Sequence, residues 1–567
     1  MNRVVKTATA VLSVAALVAM AGCGAEEKLG KTNDEVKKTT ADYLHASYED
    51  LKDGGTLTLP IETVPEQMNV FQATATLDTM NMWYWYNPVI SLFDDEGVWQ
   101  ANPDYVTKVE DKVVDGKTVV TYDLNEKAKF NDGTPFDWKV WEGTWKAGSG
   151  EDKAYQLGDT SGYAAVEKVE RGANDFQAVV TYKKTFPWWK KNFGFVMHPA
   201  LAASGEAFNT TYVNNPHPEW GAGPFKATEY DSKAGKFIFE PNEKWWGKPT
   251  KLEKVVVRAL EGNADLNAFR NKEIDLVAVG NKNRLSQVKD DNVPIYTGQS
   301  LGETALTLNS KRPLLGDIKV RKALMLAVDR QTIMDVRFQG MNYKGDLLGS
   351  LILKPTQPGY EDNLGDLGKF DAEAAKKLLD EAGWKLQEGK EFRTNDKGEE
   401  LELMMPSFGT TETLTAIYNT LMALWKNVGV KLNIEQKKPA DYPQIMANAE
   451  FDVMMNGYYA DNPFAMGDIC QFYEQGQNLT KSGLGSEEID KLCNESITAK
   501  DEAEALKLGN ETEKKALEMA GMMPVMSGPA MVATKPGLAN RGAMGFARLA
   551  PELIGWTDAP AASPEGK

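Results

Sequence analysis

Thr56-Leu57-Thr58-Leu59-Pro60 alternates polar and apolar positions with the two-residue period of a half-buried strand and stops at a proline. The same period predicts strands over Lys117–Leu124 and over residues 237–240, 254–258, 430–434 and 451–455. A longer period marks helices. Trp138, Trp141 and Trp145 fall on one helical face, and Asp137 stands before them as an N-cap. Residues 320–336 carry an apolar stripe of Val320, Leu324, Ala327 and Val328. Residues 371–382 carry another of Ala374, Leu378 and Leu379, closed by Gly383; residues 413–428 form a third helix, closed by Gly429. Met82-Trp83-Tyr84-Trp85-Tyr86 is an aromatic run; as a strand it puts Trp83 and Trp85 on one face, Tyr84 and Tyr86 on the other. Strands and helices mix without a repeat, which predicts an α/β or α+β class.

The N-terminus has a different pattern. Residues 1–6 carry Arg3 and Lys6 and no acid, residues 8–20 are almost wholly apolar, and Met20-Ala21-Gly22-Cys23 follows. A membrane-spanning helix needs roughly 20 apolar residues and an export h-region about 7–15, so this run fits an export leader. Its small-small-Cys ending resembles a bacterial lipobox. That resemblance implies a lipoprotein signal peptide over residues 1–22 and a diacylated, palmitate-bearing Cys23 as the mature N-terminus. The body is then expected outside the cytoplasm, lipid-anchored to the outer face of the bacterial cell membrane. Residues 23–53, polar after the cysteine, read as a tether with a surface helix over residues 34–51.

Composition narrows the chemistry. The chain has 567 residues, 42% hydrophobic and 26% charged, which is globular and several domains long at a soft prior of about 150 residues each. The net charge is −17 and the leader holds only bases, so the body is more acidic still. Such a surface repels nucleic acid and anionic headgroups. With Cys23 assigned to lipid, Cys470 and Cys493 remain, a disulfide pair or two free thiols. Their bond would stabilise by roughly 3 kcal/mol in the chain-entropy model.

Catalytic groups are sparse. The histidines are His45, His198 and His217, and no HExxH zinc motif occurs. Gly116-Lys117-Thr118 mimics the end of a phosphate loop, but position 111 is Asp. No enzymatic activity, metal or cofactor is therefore expected. The 81 acids leave a carboxylate-type surface glycoside hydrolase as an alternative.

Six phrases occur in a familiar order. Phe130-Asn131-Asp132-Gly133-Thr134-Pro135 comes first, then Gly221-Ala222-Gly223-Pro224-Phe225 with Asn242-Glu243-Lys244-Trp245-Trp246-Gly247. Leu308-Asn309-Ser310 follows with Asp317-Ile318-Lys319-Val320-Arg321-Lys322-Ala323-Leu324 and Ala327-Val328-Asp329-Arg330. Ala374-Ala375-Lys376-Lys377-Leu378-Leu379-Asp380-Glu381-Ala382-Gly383-Trp384, Gly429-Val430-Lys431-Leu432 and Phe451-Asp452-Val453 complete the set. Together they resemble the family 5 extracellular solute-binding proteins, the oligopeptide- and dipeptide-type receptors of bacterial ABC importers.

The resemblance implies an α/β, bilobed periplasmic-binding-protein-like fold of class II, the large three-domain type. Lobe I would take residues 54–75, 195–306 and 526–567; a smaller inserted domain 76–194; lobe II 307–525. It also implies a monomeric receptor that captures peptides and delivers them to an ABC permease and its ATPase. An oligosaccharide-binding receptor of the same fold is the other reading, supported by the Trp and Tyr content.

Asn456-Gly457-Tyr458-Tyr459-Ala460-Asp461 resembles the segment of peptide receptors that pairs with ligand backbone. The resemblance assigns Asp461 to the peptide ammonium, the pairing backbone to Gly457, Tyr458 and Tyr459, and the opposing strand to Glu62, Thr63 and Val64. A carboxylate on a desolvated ammonium contributes on the order of 1.5–3 kcal/mol; Asp461 as a cap on the turn at Asn462-Pro463 is the alternative. Trp83 and Trp85 are candidates for stacking on ligand, with lobe packing as the other use of such rings.

Overall fold

The computed structural model describes residues 40–558, apart from 289, 291, 342, 344, 461, 477 and 478. The leader, Cys23 and Asp461 lie outside the described residues. Strand β1 (Thr56–Ile61) buries Leu57, Leu59 and Ile61 on one face. It pairs in parallel with Lys254–Ala259, which continues antiparallel to Lys236–Pro241 and then Phe225–Asp231. Pro60 is tolerated because β1 is the edge strand of this sheet.

Against the sheet lies helix α1 (Leu77–Tyr86), where the aromatic run had suggested a strand. A run that is apolar on all sides fits a buried strand or a buried helix equally well. The local cap decides for the helix: the Thr79 N–H donates to Oγ1 of Thr76 at 3.3 Å. Trp85 meets Phe225 edge-on at 5.6 Å and Tyr86 stacks on Phe239 at 5.7 Å, so α1 and the sheet share one core.

A second sheet orders Val106–Val114, Lys117–Leu124, Gln177–Tyr182 and Val166–Arg171, all antiparallel. Val120, Tyr122 and Leu124 point inward, as their alternation predicts. The Trp138–Gly148 helix packs on it with Trp141 fully buried, and Asp137 accepts from the Lys139 N–H at 2.9 Å.

A third sheet gathers strands from distant parts of the chain. Its members are Leu276–Ala278, β2 (Ile295–Leu308), β3 (Val453–Tyr459) and β4 (Met522–Thr534). β4 pairs with Leu276–Ala278 on one side and β2 on the other, and β3 takes the far side of β2. The expected lobe boundaries after residues 306 and 525 fall inside β2 and β4, two continuous strands of 14 and 13 residues. Their pairing slips between Gln299 and Glu303 and again between Thr304 and Ala305. Such irregularities bend a strand pair locally.

Two further expectations need correction. Residues 320–336 form not one helix but two, Ile318–Leu326 and Arg330–Arg337. Asp329 restarts the second by accepting from the Thr332 N–H at 3.1 Å. The tether does not extend to residue 53. Asp42 and Ala543 exchange backbone hydrogen bonds at 2.8 and 2.9 Å, and Ala41, Tyr43 and Leu51 are buried. Of the helix over residues 34–51, the described part holds a single 3-10 turn, Tyr48–Asp50.

Cys470 and Cys493 are bonded, with Cα atoms 5.3 Å apart, and tie the Ile469–Tyr473 helix to Glu487–Ile497. Among the described residues no helix is long and apolar enough to cross a membrane.

Candidate ligand cleft

β3 ends its sheet, and β2 covers only one of its edges. In register, Gly457 faces Thr304, Tyr458 faces Glu303 and Tyr459 faces Gly302. Among the described residues no strand pairs with the other edge. An unpaired edge presents a row of N–H and C=O groups ready for another chain. Gly457 keeps the approach open: a Cβ there would meet nothing closer than the Glu303 carbonyl oxygen at 3.9 Å.

Below this edge is a buried polar network that sequence patterns did not suggest. Lys354 Nζ donates to Glu303 Oε2 at 2.6 Å, both side chains almost fully buried. Burial pushes the Glu303 carboxyl up to about 7, with the Lys354 charge opposing. Glu513, also raised by burial, accepts from the hydroxyls of Ser350 and Tyr473 at 2.6 and 2.8 Å. The network fixes β2, and therefore β3, against the helices behind them.

Residues 62–64, expected as an opposing strand, leave β1 as irregular chain. Glu62 and Thr63 are exposed and Val64 is buried. The Thr63 N–H already donates to Asp78 Oδ2 at 3.2 Å, which removes that donor from ligand pairing.

A cavity of about 180 Å³ opens between β1, α1, the loop at residues 541–549, Leu301 and Tyr459. Of the nominated residues it brings together Trp85 and Tyr459; Trp83, Gly457, Tyr458 and residues 62–64 lie outside its walls. Trp85 is 2% exposed, whereas Tyr459 is 59% exposed. Trp83 is 1% exposed and packs on Phe71 and Tyr212, each at 5.9 Å, so it belongs to the core.

The loop at residues 541–549 supplies most of what sequence reading missed. It lines the cavity with Arg541, Met544, Phe546 and Arg548. The Arg548 guanidinium lies over the rings of Phe93 and Phe195 at 5.3 and 5.1 Å. Tyr84 of α1 donates its hydroxyl to the Leu549 carbonyl at 2.6 Å.

Contacts also cross from the second sheet's domain to the chain after β3. Lys191 pairs with Asp468, Ser161 donates to Asp468 at 2.8 Å, and Phe93 meets Phe464 at 5.9 Å.

Residues 100–480 match the family model described as bacterial extracellular solute-binding proteins, family 5, middle. The chain belongs to this family. The oligopeptide-binding protein OppA of Mycobacterium tuberculosis is 28% identical over 552 residues, 95% of this chain and 91% of that protein. The Bacillus subtilis protein of the same name is 23% identical over 455 residues, 74% of this chain and 79% of that one. The family fold extends across almost the whole chain. A periplasmic EDTA-binding protein, EppA, superimposes with a TM-score of 0.82 at 20% identity, covering 92% of this chain and 99% of that one. The Bacillus subtilis oligopeptide-binding protein AppA, solved with a nonapeptide, gives 0.71 at 18% identity, covering 89% and 99%. The expected bilobed periplasmic-binding-protein-like fold is thus the fold of this family member, a solute-binding protein working outside the cytoplasm.

Proposed function

We propose that this protein is a receptor that captures peptides outside the cell and hands them to an ABC import permease with its ATPase. The open edge of β3 at residues 457–459 carries the reading. A peptide added there as a strand gains backbone hydrogen bonds whatever its side chains, which suits a receptor for many sequences. Asp461, next after Ala460, takes the peptide ammonium. The names of the Mycobacterium tuberculosis and Bacillus subtilis relatives, and the nonapeptide in AppA, support the same ligand class.

In this reading lobe I is residues 54–75, 195–306 and 526–567, the inserted domain 76–194 and lobe II 307–525. β2 and β4 run across the lobe boundary and act as the hinge. The protein binds without turning its ligand over. Cys23 carries the lipid, and the chain between it and residue 40 holds a monomeric receptor at high local concentration beside its permease. The oligosaccharide reading loses its main support, because the Trp83 and Trp85 rings are buried away from any sugar face.

Titration of the protein starting at residue 24 against a peptide library and a glycan library, by Trp fluorescence and calorimetry, tests the proposal. Saturable heats with peptides and none with glycans are expected. Glycan binding without a peptide response would overturn the peptide assignment, and turnover of any ligand would overturn the receptor assignment.

A further inference from the structure

The described walls of the cavity hold two charged residues, Arg541 and Arg548, and no acid. The chain as a whole has 81 acids against 64 lysines and arginines, so this lining runs against its composition. The two arginines are held differently. Arg548 lies on the two phenylalanine rings. Arg541 is half-buried, and among the described residues no hydrogen bond or ion pair engages its guanidinium. Burial draws it below its ordinary value, opposed by the hydroxyls of Tyr84 and Tyr459 nearby. A desolvated cation is costly unless something compensates it.

The loop carrying Arg541 is fixed on both sides. Asn540, at φ 61°, accepts from the Ala46 N–H at 3.1 Å and donates to the carbonyls of Ala46 and Leu553 at 2.9 and 2.6 Å. Beyond Arg541, Ala543 pairs with Asp42, and Gly545 lies so close to the Thr40 carbonyl that a Cβ would approach it to 2.0 Å. The cation is therefore presented to the cavity by anchored backbone.

We propose that Arg541 forms a carboxylate-binding subsite in the cleft, filled by a carboxylate of the bound peptide. The guanidinium fork matches the two oxygens of a carboxylate. Tyr459 is both the last residue of β3 and a wall of the cavity, so a peptide paired along β3 is led to Arg541. The carboxylate comes from an acidic side chain or from the peptide's free C-terminus. The inference rests on the peptide reading above and adds a ligand preference to it.

The test uses the protein starting at residue 24, its R541Q and R541K variants, and alanine tetrapeptides. One arm compares Glu with Gln at each position in turn; the other compares the free C-terminus with its amide. Calorimetry of the wild type is expected to favour the carboxylate member of at least one pair by about 10-fold. In R541Q that ratio falls to about one, and in R541K to an intermediate value, because the ammonium keeps the charge and loses the fork. The arm that shows the preference identifies the source of the carboxylate. A wild type indifferent to carboxylates in both arms, or an R541Q protein that keeps the preference, would overturn the proposal.

Thermal melting reports whether each variant folds. If R541Q does not fold, the wild-type ratios and R541K decide. If no peptide binds, melting with citrate separates the two readings: protection of the wild type lost in R541K or R541Q keeps the subsite and removes the peptide assignment, and no protection removes both.

Discussion

Trp85 and Tyr459 line the same cavity, yet one is 2% exposed and the other 59%. The α1 wall is dense: Trp83, Trp85 and Tyr86 interlock with Phe225, Phe239 and Tyr212, and their rings are used up by the protein itself. The β3 wall is sparse. It offers an edge of backbone, a glycine with free space in front of it, and one exposed ring. Aromatic abundance in this protein therefore marks where the scaffold is stiff, and backbone left unpaired marks where a ligand can be held. The cavity thus has a stiff aromatic wall in α1, a loop carrying Arg541, and an exposed Tyr459 at the end of β3.

Substitutions can break that contrast. Trp83→Ala should lower stability by about 3–5 kcal/mol, the range for deleting a buried aromatic ring, as read by denaturant unfolding. A change near zero would mean that the ring is not core, and the aromatic wall would again be a candidate for ligand stacking. Gly457→Val should weaken peptide binding by about 10-fold while shifting the melting temperature little, because the branched side chain stands in open space beside the edge. Unchanged calorimetric affinity would remove the β3 edge from the ligand site.

A further test uses pH. Glu552, just beyond the Arg541 loop, has its carboxyl pushed up to about 8 by burial and by Asp104, which is itself raised. The folded protein therefore holds a proton that the unfolded chain releases near the ordinary glutamate value of 4.5. Stability should fall as pH rises through that interval and level off above about 8. Glu552→Gln should flatten this part of the melting profile; an unchanged slope would assign it to other groups.

Legibility followed range along the chain. The Lys117–Leu124 strand, the capped Trp138–Gly148 helix and the glycine-closed helix before Gly383 are set by neighbours a few residues away, and all three stand where their patterns place them. The six phrases lie in turns, helices and strand ends of this locally set kind. The α1 helix was legible only through Thr76 and Thr79, since its aromatic run fits either period. Arg541 carries no local signal, because its partners in forming the cavity come from distant parts of the chain; Tyr84 and Leu549, which join the same walls, are 465 positions apart.

The sequence by itself determined the type of most elements and the pairing candidates Cys470 and Cys493. Those properties come from local propensity, capping and order along the chain. Tertiary structure alone decided that residues 40–43 join the body, that among the described residues β3 has a strand partner on one edge only, that Trp83 and Trp85 are spent on packing, and that Arg541 lines the cavity. Each of these depends on which distant surfaces exclude water together, and that is fixed only when the chain closes on itself.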